Sequence, residues 1–442
     1  MTIQLSDHFT VKRLLRFTLP SIIMMVFTSI YGVVDGFFVS NFAGKTPFAA
    51  VNFIYPFLMI LGTLGFMFGA GGSALVSKTM GEGENKKANE IFSLLVYSAL
   101  ISGIAITLLG QLLLRPAAIL LGAEGRLLSD CVLYGRIILV AMPAFILQMA
   151  FQSFFVTAEK PGLGLIATVT SGVTNMVLDA LLVAVIPLGL IGAALATAIS
   201  QIVGGVFPII YFSRKNSSPL RLGKTRFDSS ALLKTCANGS SELMSNISMS
   251  LVSMLYNVQL LKYAGENGIA AYGVMMYVNF VFISIFIGYS IGTAPIIGYH
   301  FGAQNHGELR GLLKKSLAIV SVAAVSMLAL SLALARPLST LFVGYDRELF
   351  EMTLHGFKTF SSSFLFAGFA IFSSGFFTAL NDGLTSAIIS FLRTLVFQIA
   401  AVMLLPLIWE LDGIWISIIV AEAMAVAVSA IFMVAKKKNF GY

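Results

Sequence analysis

The sequence predicts an all-α polytopic membrane protein with twelve transmembrane helices in two pseudo-symmetric six-helix lobes around a central cleft. Three observations predict this fold: an apolar composition, twelve long apolar stretches and an internal repeat. Of the 442 residues, 57% are hydrophobic and only 11% are charged, and the mean hydropathy is +0.91. Soluble proteins carry about 25% charged residues, so the composition argues against a water-soluble fold.

Twelve stretches are long and apolar enough for a membrane helix, which needs roughly 20 mostly apolar residues. The first runs on for about 25 residues, longer than a signal-peptide core, so we expect it to be retained. The longest connection, 213–230, is too short for a soluble catalytic or nucleotide-binding domain. The predicted spans are 14–40, 48–77, 91–114, 130–156, 163–186, 189–212, 231–258, 268–300, 312–335, 350–379, 384–406 and 413–435.

The basic residues predict the orientation of the chain in the membrane. With the N-terminus inside and the spans alternating, inner segments hold 19 of the 28 Lys and Arg residues and outer segments hold 8. Arg393 is the one left inside a span. This bias predicts that both termini are cytoplasmic, and we expect the membrane to be the bacterial inner membrane. We interpret the net charge of +8 as basic residues that set the orientation of the chain and attract anionic lipid headgroups of the bilayer. No nucleic-acid partner is expected.

The chain repeats itself at an offset of 221 residues, which maps Gly71 onto Gly292 and Gly81 onto Gly302. Each repeat holds six spans, an even number, so both halves enter the membrane from the same side. Two such bundles indicate a secondary transporter with a central cleft. A duplicated structural or receptor membrane protein is the alternative. The predicted domains are an N-terminal lobe with the cation and substrate site at 1–212, a basic cytoplasmic linker at 213–230 and a C-terminal lobe at 231–442.

Motifs of covalent chemistry are absent from the sequence. It contains no P-loop, no GxSxG and no HExxH, and its four His residues are scattered. We therefore expect no enzyme activity and no cofactor. Cys131 and Cys236 fall at opposite membrane faces and predict no disulfide. The GxxxG at Gly65 and Gly69 is interpreted as packing within one chain, so a monomer is expected.

Acidic groups within the first lobe are the main candidates for function, because a charge in the hydrocarbon costs a few kcal/mol or more. Asp179 lies roughly 10 Å from the outer end of helix 5, and Asn175 lies one turn earlier on the same face. Thr197 on helix 6 and Asp35 on helix 1 reach a similar depth. These oxygen ligands suit H⁺ or Na⁺ and do not suit a transition metal.

The repeat provides an internal control for these four residues. The offset of 221 places Tyr256, Val396, Ala400 and Ile418 at the matching positions of the second half. If the acids only held the fold together, both halves would need them. The asymmetry favours a functional cluster.

The other intramembrane charges lie in the second half. Arg393 and Glu422 lie on consecutive helices near mid-depth and are predicted to form a structural ion pair, with a gating or coupling role as the alternative. Glu242 lies nearer the cytoplasmic end of helix 7, where it could reach water. Pro20 predicts a kink in helix 1, and a static kink and a switching one are equally compatible with the sequence.

Candidate substrate contacts lie deeper in the first lobe. Gln148 and Gln152 are one turn apart on helix 4 and could bond a substrate, although packing between helices explains them equally well. Met176 has the adaptable side chain that suits varied ligands. Tyr31 lies one turn below Asp35.

These features resemble the MATE (multidrug and toxic compound extrusion) family over nearly the whole chain. The resemblance rests on the helix 1 sequence LLRFTLPSIIMMVFTSIYGVVDGFFVS, the helix 5 sequence NMVLD and the loops KTMGEGENKKA and YHFGAQNHGEL. It is strongest to the DinF-type branch, which includes MepA-like pumps. It implies export of organic cations and amphipathic drugs by H⁺ or Na⁺ antiport.

The resemblance also assigns roles to residues. It implies that the cation site holds Asp35, Asn175, Asp179 and Thr197, and that Pro20 forms the helix 1 kink. Substrate contacts are implied at Tyr31, Asn175, Gln148 and Gln152. NorM-type relatives carry coupling acids on helices 7 and 10, and here helix 10 has none at mid-depth, which leaves Glu242 unassigned. A lipid-linked oligosaccharide flippase of the same superfamily is the nearest rival, but its cleft should be cationic.

Overall fold

The computed structural model describes residues 3–442, with Lys45 described in its backbone only, and this part of the chain is almost entirely helical. Eleven of its helices are long and apolar enough to cross a membrane. The helices are α1 (Val11–Ala43), α2 (Thr46–Gly81), α3 (Asn85–Leu120), α4 (Gly125–Thr157), α5 (Pro161–Val185), α6 (Gly189–Ser213), a helix at Ser229–Gly302, α9 (His306–Val343), α10 (Arg347–Ala379), α11 (Gly383–Leu404) and α12 (Pro406–Phe440).

The helix at Ser229–Gly302 forms two membrane spans. Its 74 residues would reach about 110 Å if straight, and a bilayer core is about 30 Å thick. Gly265 breaks the helix with φ 61° and ψ −153°, a conformation open to glycine alone. The break divides the segment into α7 (229–264) and α8 (266–302). The twelve predicted helices are thus confirmed, and most of them extend beyond the apolar stretch alone, α3 and α9 by about three turns or more. Trp409 and Glu410 interrupt α12 near its start with non-helical backbone angles.

Side-chain caps fix where several helices of the second half begin. Asn305 accepts a hydrogen bond from the backbone N–H of Glu308 at the start of α9. Asp346 and Asp382 do the same at the starts of α10 and α11. Such caps accept hydrogen bonds from N–H groups of the first helical turn, which have no partner within the helix. The residues of the short connections themselves therefore determine where these helices begin.

The two halves of the chain meet at the face that carries both chain ends, here called the terminal face. The charge bias predicts that this face is cytoplasmic. The hydrogen bonds that the described residues make between the halves lie between this face and about the middle of the spans. The outermost joins Ser29 Oγ to the carbonyl oxygen of Phe280 at 3.5 Å. The described structure is therefore closed toward the terminal face.

Glycines allow the backbones of the two halves to touch there, in repeat-related pairs. A Cβ added to Gly81 would collide with the carbonyl oxygen of Tyr299, and one added to Gly302 would collide with that of Lys78. These positions exchange under the offset of 221. The sequence repeat is therefore also an approximate two-fold symmetry of this interface.

Glycines also bring α2 and α4 together inside the first half. A Cβ on Gly65 would meet the carbonyl oxygen of Ile146, and one on Gly69 would meet Ala150. The GxxxG pair thus packs within the chain, as expected. Nearby, Phe92 lies 5.1 Å from both Phe154 and Phe212 between ring centroids, which ties α3 to α4 and α6.

The connection between the halves is non-helical from Arg214 to Asp228 and lies along the start of α3. The backbone N–H of Arg221 donates to Asn89 Oδ1 at 2.6 Å, and Tyr97 donates to the carbonyl oxygen of Gly223 at 3.1 Å. The connection is therefore attached to the first half at several points. Its role as the boundary between two domains stays a prediction.

We expect Gly71→Ala to lower the melting temperature of the purified protein. The new Cβ would collide with the carbonyl oxygen of Thr235 and the nitrogen of Gly239 across the interface, and overpacking costs about 1–3 kcal/mol. Gly162→Ala is the matched control, because nothing lies within 4 Å of its Cβ position. Equal melting temperatures for the two variants would contradict this account of the interface.

Candidate functional site

The structure brings together the four polar residues that the sequence singled out in the first half. Asp35 on α1 lies beside Asp179 and Asn175 on α5 and beside Thr197 on α6, close enough to interact with all three. Asp179 is fully buried and Asn175 is 2% exposed. Asp35 and Thr197 are half-buried. Three helices thus supply one compact cluster, which we call the acid cluster.

The polar atoms of the acid cluster lack partners within the described protein. Neither carboxylate oxygen of Asp179 has a hydrogen bond, nor do Asp35 Oδ1, Thr197 Oγ1 and both polar atoms of the Asn175 amide. About nine in ten buried polar groups in proteins are hydrogen-bonded. Two adjacent carboxylates also cannot both stay charged without a compensating cation. The cluster therefore has the composition of a site for a proton or a cation.

The donor set decides which cations fit. The described residues contain no group of three or more His, Cys, Asp and Glu side chains that could hold a metal ion. Two carboxylates, an amide oxygen and a hydroxyl are instead hard oxygen ligands. Na⁺ or H⁺ fits this set, whereas a transition metal does not.

The backbone changes from α-helix to π-helix next to both acids. On α1 the π-helical segment Val39–Ala43 begins one turn after Asp35, and on α5 the segment Ala180–Val185 follows Asp179 directly. The two segments pack against each other. A π-helical segment widens the helix and is frequent at functional sites. Nothing in the local sequence indicated it.

Two tyrosines complete the surroundings of the acid cluster, and the sequence analysis missed both. Tyr134 on α4 is 3% exposed and interacts with Thr197, and its electrostatic neighbours include both acids. Tyr55 on α2 lies near Asp35 and is 51% exposed. Tyr134 and Tyr55 reach the acid cluster from helices other than those that carry the four polar residues. The sequence indicates only that each tyrosine lies in the outer half of its span.

The matching region of the second half is built differently. Tyr256, which the repeat places opposite Asp35, has its hydroxyl 2.8 Å from both Gln398 Oε1 and Ser417 Oγ. Its ring stacks on Tyr272 at a centroid distance of 5.4 Å. The hydroxyl is therefore satisfied within the protein, whereas the acid cluster is not.

The structure places Arg393 and Glu422 in contact as a bidentate ion pair, in which two nitrogen atoms of Arg393 each donate to one oxygen of Glu422. Arg393 Nε lies 2.8 Å from Glu422 Oε2, and a terminal nitrogen of Arg393 lies 3.0 Å from Oε1. Arg393 lies in the π-helical segment Leu392–Val396 of α11. Glu242 is half-buried on α7 with Arg393 as its electrostatic neighbour. The expectation that Glu242 simply reaches water omitted this neighbour, which α11 supplies.

The two glutamines of α4 lie inside the first half. Gln148 and Gln152 are 5% and 4% exposed. Gln148 Nε2 donates to Ser171 Oγ at 3.1 Å, and Ser171 donates to the carbonyl oxygen of Ser200. The cavity beside them measures about 10 Å³, enough for about one water molecule. Gln148 Oε1 and Gln152 Nε2 are buried without a hydrogen-bond partner among the described residues. Helix packing and substrate contact therefore both stay open as roles for this pair.

Of the remaining candidates, Tyr31 has Asp35 among its electrostatic neighbours, whereas Pro20 lies about four turns away from Asp35 along α1. The Tyr31 ring packs over Gly172 of α5 and lies 5.9 Å from the Phe27 ring. Met176 is half-buried and follows Asn175 on α5. Helix α1 continues as an α-helix through Pro20 to Phe38. A switching role for Pro20 stays a prediction.

Comparisons with known proteins agree with this architecture. The sequence model of the MatE family matches residues 20–181 and 243–404. The multidrug export protein MepA of Staphylococcus haemolyticus is 26% identical over 430 residues, 97% of this chain and 94% of its own length. MepA of Staphylococcus aureus strain MRSA252 is 25% identical over 426 residues, 96% of this chain and 93% of its own length.

The fold itself also matches solved structures. A structure described as the outward-facing conformation of a multidrug resistance MATE family transporter has a TM-score of 0.92 and 21% identity. The match covers 98% of this chain and 97% of that one.

We expect Arg393→Met to destabilise the protein by about 3–5 kcal/mol, because it leaves Glu422 buried without its cation. The double variant Arg393→Met/Glu422→Leu should recover most of the loss in a thermal unfolding measurement. Lys87→Met breaks an exposed pair with Glu84 and should change little. A stable double variant that still lost transport would contradict a purely structural role and favour gating or coupling.

Proposed function

Because the chain belongs to the MATE family, within its MepA-like branch, we propose that it is a multidrug efflux transporter, coupled to H⁺ or Na⁺ antiport. Its cargo would be organic cations or amphipathic drugs. One observation carries the proposal: in one half only, the fully buried carboxylate of Asp179 lies beside that of the half-buried Asp35, and both Asp179 oxygens and Asp35 Oδ1 lack hydrogen-bond partners among the described residues. The names of the MepA relatives support drug export. Such a protein is a transporter and not an enzyme.

Asp35 and Asp179 would bind the coupling cation, with Asn175 and Thr197 as neutral oxygen ligands. A proton on one carboxyl group would let it donate to the other, which removes both the repulsion and the unsatisfied acceptors. Na⁺ would meet the same need with the four oxygen ligands. Either cation would neutralise a site that is otherwise negative.

Coupling would follow from this change of charge. A negative acid cluster attracts a cationic drug to the first half, and a neutralised one does not. Binding of the coupling cation would thus lower the affinity for drug, and by reciprocity drug binding would expel the cation. The cycle needs no covalent chemistry, only the difference in affinity between the two charge states.

Alternating access would require the interface at the terminal face to open. The close contacts between the halves lie on that side, so the described structure would take up the coupling cation and release drug at the opposite face. Rocking of the halves would then expose the acid cluster to the terminal side. We further propose that the chain works as a monomer in the bacterial inner membrane with both termini in the cytoplasm.

A lipid-linked oligosaccharide flippase would need a different electrostatic environment. A pyrophosphate group is anionic and is bound by Arg, which can donate two parallel hydrogen bonds to it, and by Lys. The side chains that interact with Asp35 and Asp179 are the other acid, an amide and a hydroxyl. Among the side chains that the structure describes, no Lys or Arg is one of these neighbours. The charge of the site therefore favours cationic cargo.

We expect Asp179→Asn to reduce gradient-driven dye efflux at least about tenfold, because the amide can neither bind a proton nor complete a negative site. The measurement uses proteoliposomes with a pH gradient and a Na⁺ gradient imposed separately. Flux of the parent protein under one gradient alone identifies the coupling ion. Asp35→Asn should show the same loss.

Asp412→Asn is the matched control, because Asp412 is an exposed acid whose partner is His355 at 2.7 Å on the face away from the termini. It should transport like the parent protein. Full efflux by folded Asp179→Asn would overturn the coupling role. An absence of flux from the folded parent under both gradients would overturn drug antiport and favour the flippase.

A further inference from the structure

The segment that precedes α1, residues 3–10, is firmly packed although it is short and polar. Leu5 and Phe9 are both fully buried. Gln4 N–H donates to Asp7 Oδ2 at 3.1 Å, and Arg13 donates to the same carboxylate at 2.9 Å. The segment therefore has a defined structure of its own at the terminal face.

One end of this segment is bound to the first half of the chain. The backbone N–H of Leu5 donates to Glu159 Oε1 at 2.8 Å, between α4 and α5. Glu159 has a φ of 60°, an unfavourable conformation for a residue with a side chain. Burial raises the pKa of the Glu159 carboxyl, and the Leu5 N–H acts in the opposite direction. The contact between Glu159 and the Leu5 N–H thus helps to fix the start of the segment to the first half.

The other end reaches across to the second half. Glu308 on α9 accepts a hydrogen bond from the Phe9 N–H at 2.9 Å, and its second oxygen lies 2.6 Å from His8 Nδ1. Lys315, two turns further along α9, donates to the carbonyl oxygen of Phe9. It also lies 3.7 Å from Glu308 Oε1. Both polar groups of the Phe9 backbone are therefore bound by the second half.

The Phe9 side chain occupies the junction itself. Its ring meets Phe17 of α1 edge-on at 6.0 Å and His300 of α8 edge-on at 6.4 Å. His300 is 2% exposed. The ring thus packs between one helix of each half, and its burial depends on their being together.

The contact has no counterpart at the repeat-related position. The offset of 221 places Lys87 where Glu308 stands, and Lys87 pairs with Glu84 of its own half at 2.9 Å. The rest of the interface is largely apolar and glycine-mediated. Lys78 of the first half also lies over the Phe301 ring of the second, 5.6 Å from its centroid. The Glu308 contact is therefore the place where a carboxylate of one half binds the other half through hydrogen bonds, at the end of a nearly symmetric joint.

We propose that residues 3–10 form a latch, in which Phe9 and His8 bound to Glu308 hold the two halves closed at the terminal face. Separation of the halves must break this contact, because the segment is covalently part of the first half and Glu308 is part of the second. The latch acts on the equilibrium between the closed and open states. It does not depend on which cargo or coupling ion the protein carries.

Spin labels test the latch without a transport assay. Lys86→Cys and Lys314→Cys place one label on each half near the terminal face, in the full chain with Cys131→Ala and Cys236→Ala, reconstituted in lipid nanodiscs. Pulsed dipolar spectroscopy gives the distance distribution. We expect Glu308→Ala to raise the longer-distance population about tenfold, since charge-assisted hydrogen bonds to backbone are lost.

Two further variants keep the test decisive if Glu308→Ala fails to fold. His8→Ala removes an exposed side chain and should open the joint by less, and His8→Glu should open it by more, because it sets two acids against each other. Glu84→Ala is the matched control, since its ion pair lies within one half, and it should leave the distances unchanged. Unchanged distances in both His8 variants and in any folded Glu308→Ala would overturn the latch.

Discussion

The hydrocarbon offers no water to a buried polar group, and the rest of this structure depends on that constraint. Each charge inside the membrane must find its partner in the protein or in what the protein binds. Arg393 and Glu422 meet the requirement with each other. Asp35 and Asp179 do not, because their neighbours are a second acid, an amide and a hydroxyl. This difference is the physical basis for proposing a structural role for the pair and a cation site at the acid cluster.

The repeat allows this comparison within one chain. Both halves have the same helices, yet Tyr256 is satisfied by Gln398 and Ser417 where the first half carries Asp35. One half has retained a stable polar core and the other carries unsatisfied acids. A hydrogen-bonded network of this kind can stabilise the bundle at that depth without any bound ion. The two halves therefore differ in polar chemistry at matching positions.

The joint at the terminal face combines two kinds of contact. Repeat-related glycines allow close packing of the two backbones, so parting the halves there costs mainly van der Waals contact, with few hydrogen bonds such as that from Asn381 to the carbonyl oxygen of Ala74. The contact of Phe9 with Glu308 is polar and local. A transporter requires two states that differ by only a few kcal/mol, and a charged contact added to a mainly apolar joint is a means of setting that difference.

The sequence alone determined the twelve helices, the repeat and the residues of the acid cluster. Apolar length and rare intramembrane charges are local properties, and the offset of 221 converts one half into a reference for the other. Tertiary structure alone decided that Tyr134 and Tyr55 surround the acids, that Arg393 also neighbours Glu242, and that Glu308 binds the N-terminal segment. These contacts join helices far apart in the chain, and helix rotation and tilt, which no local pattern encodes, set which side chains meet.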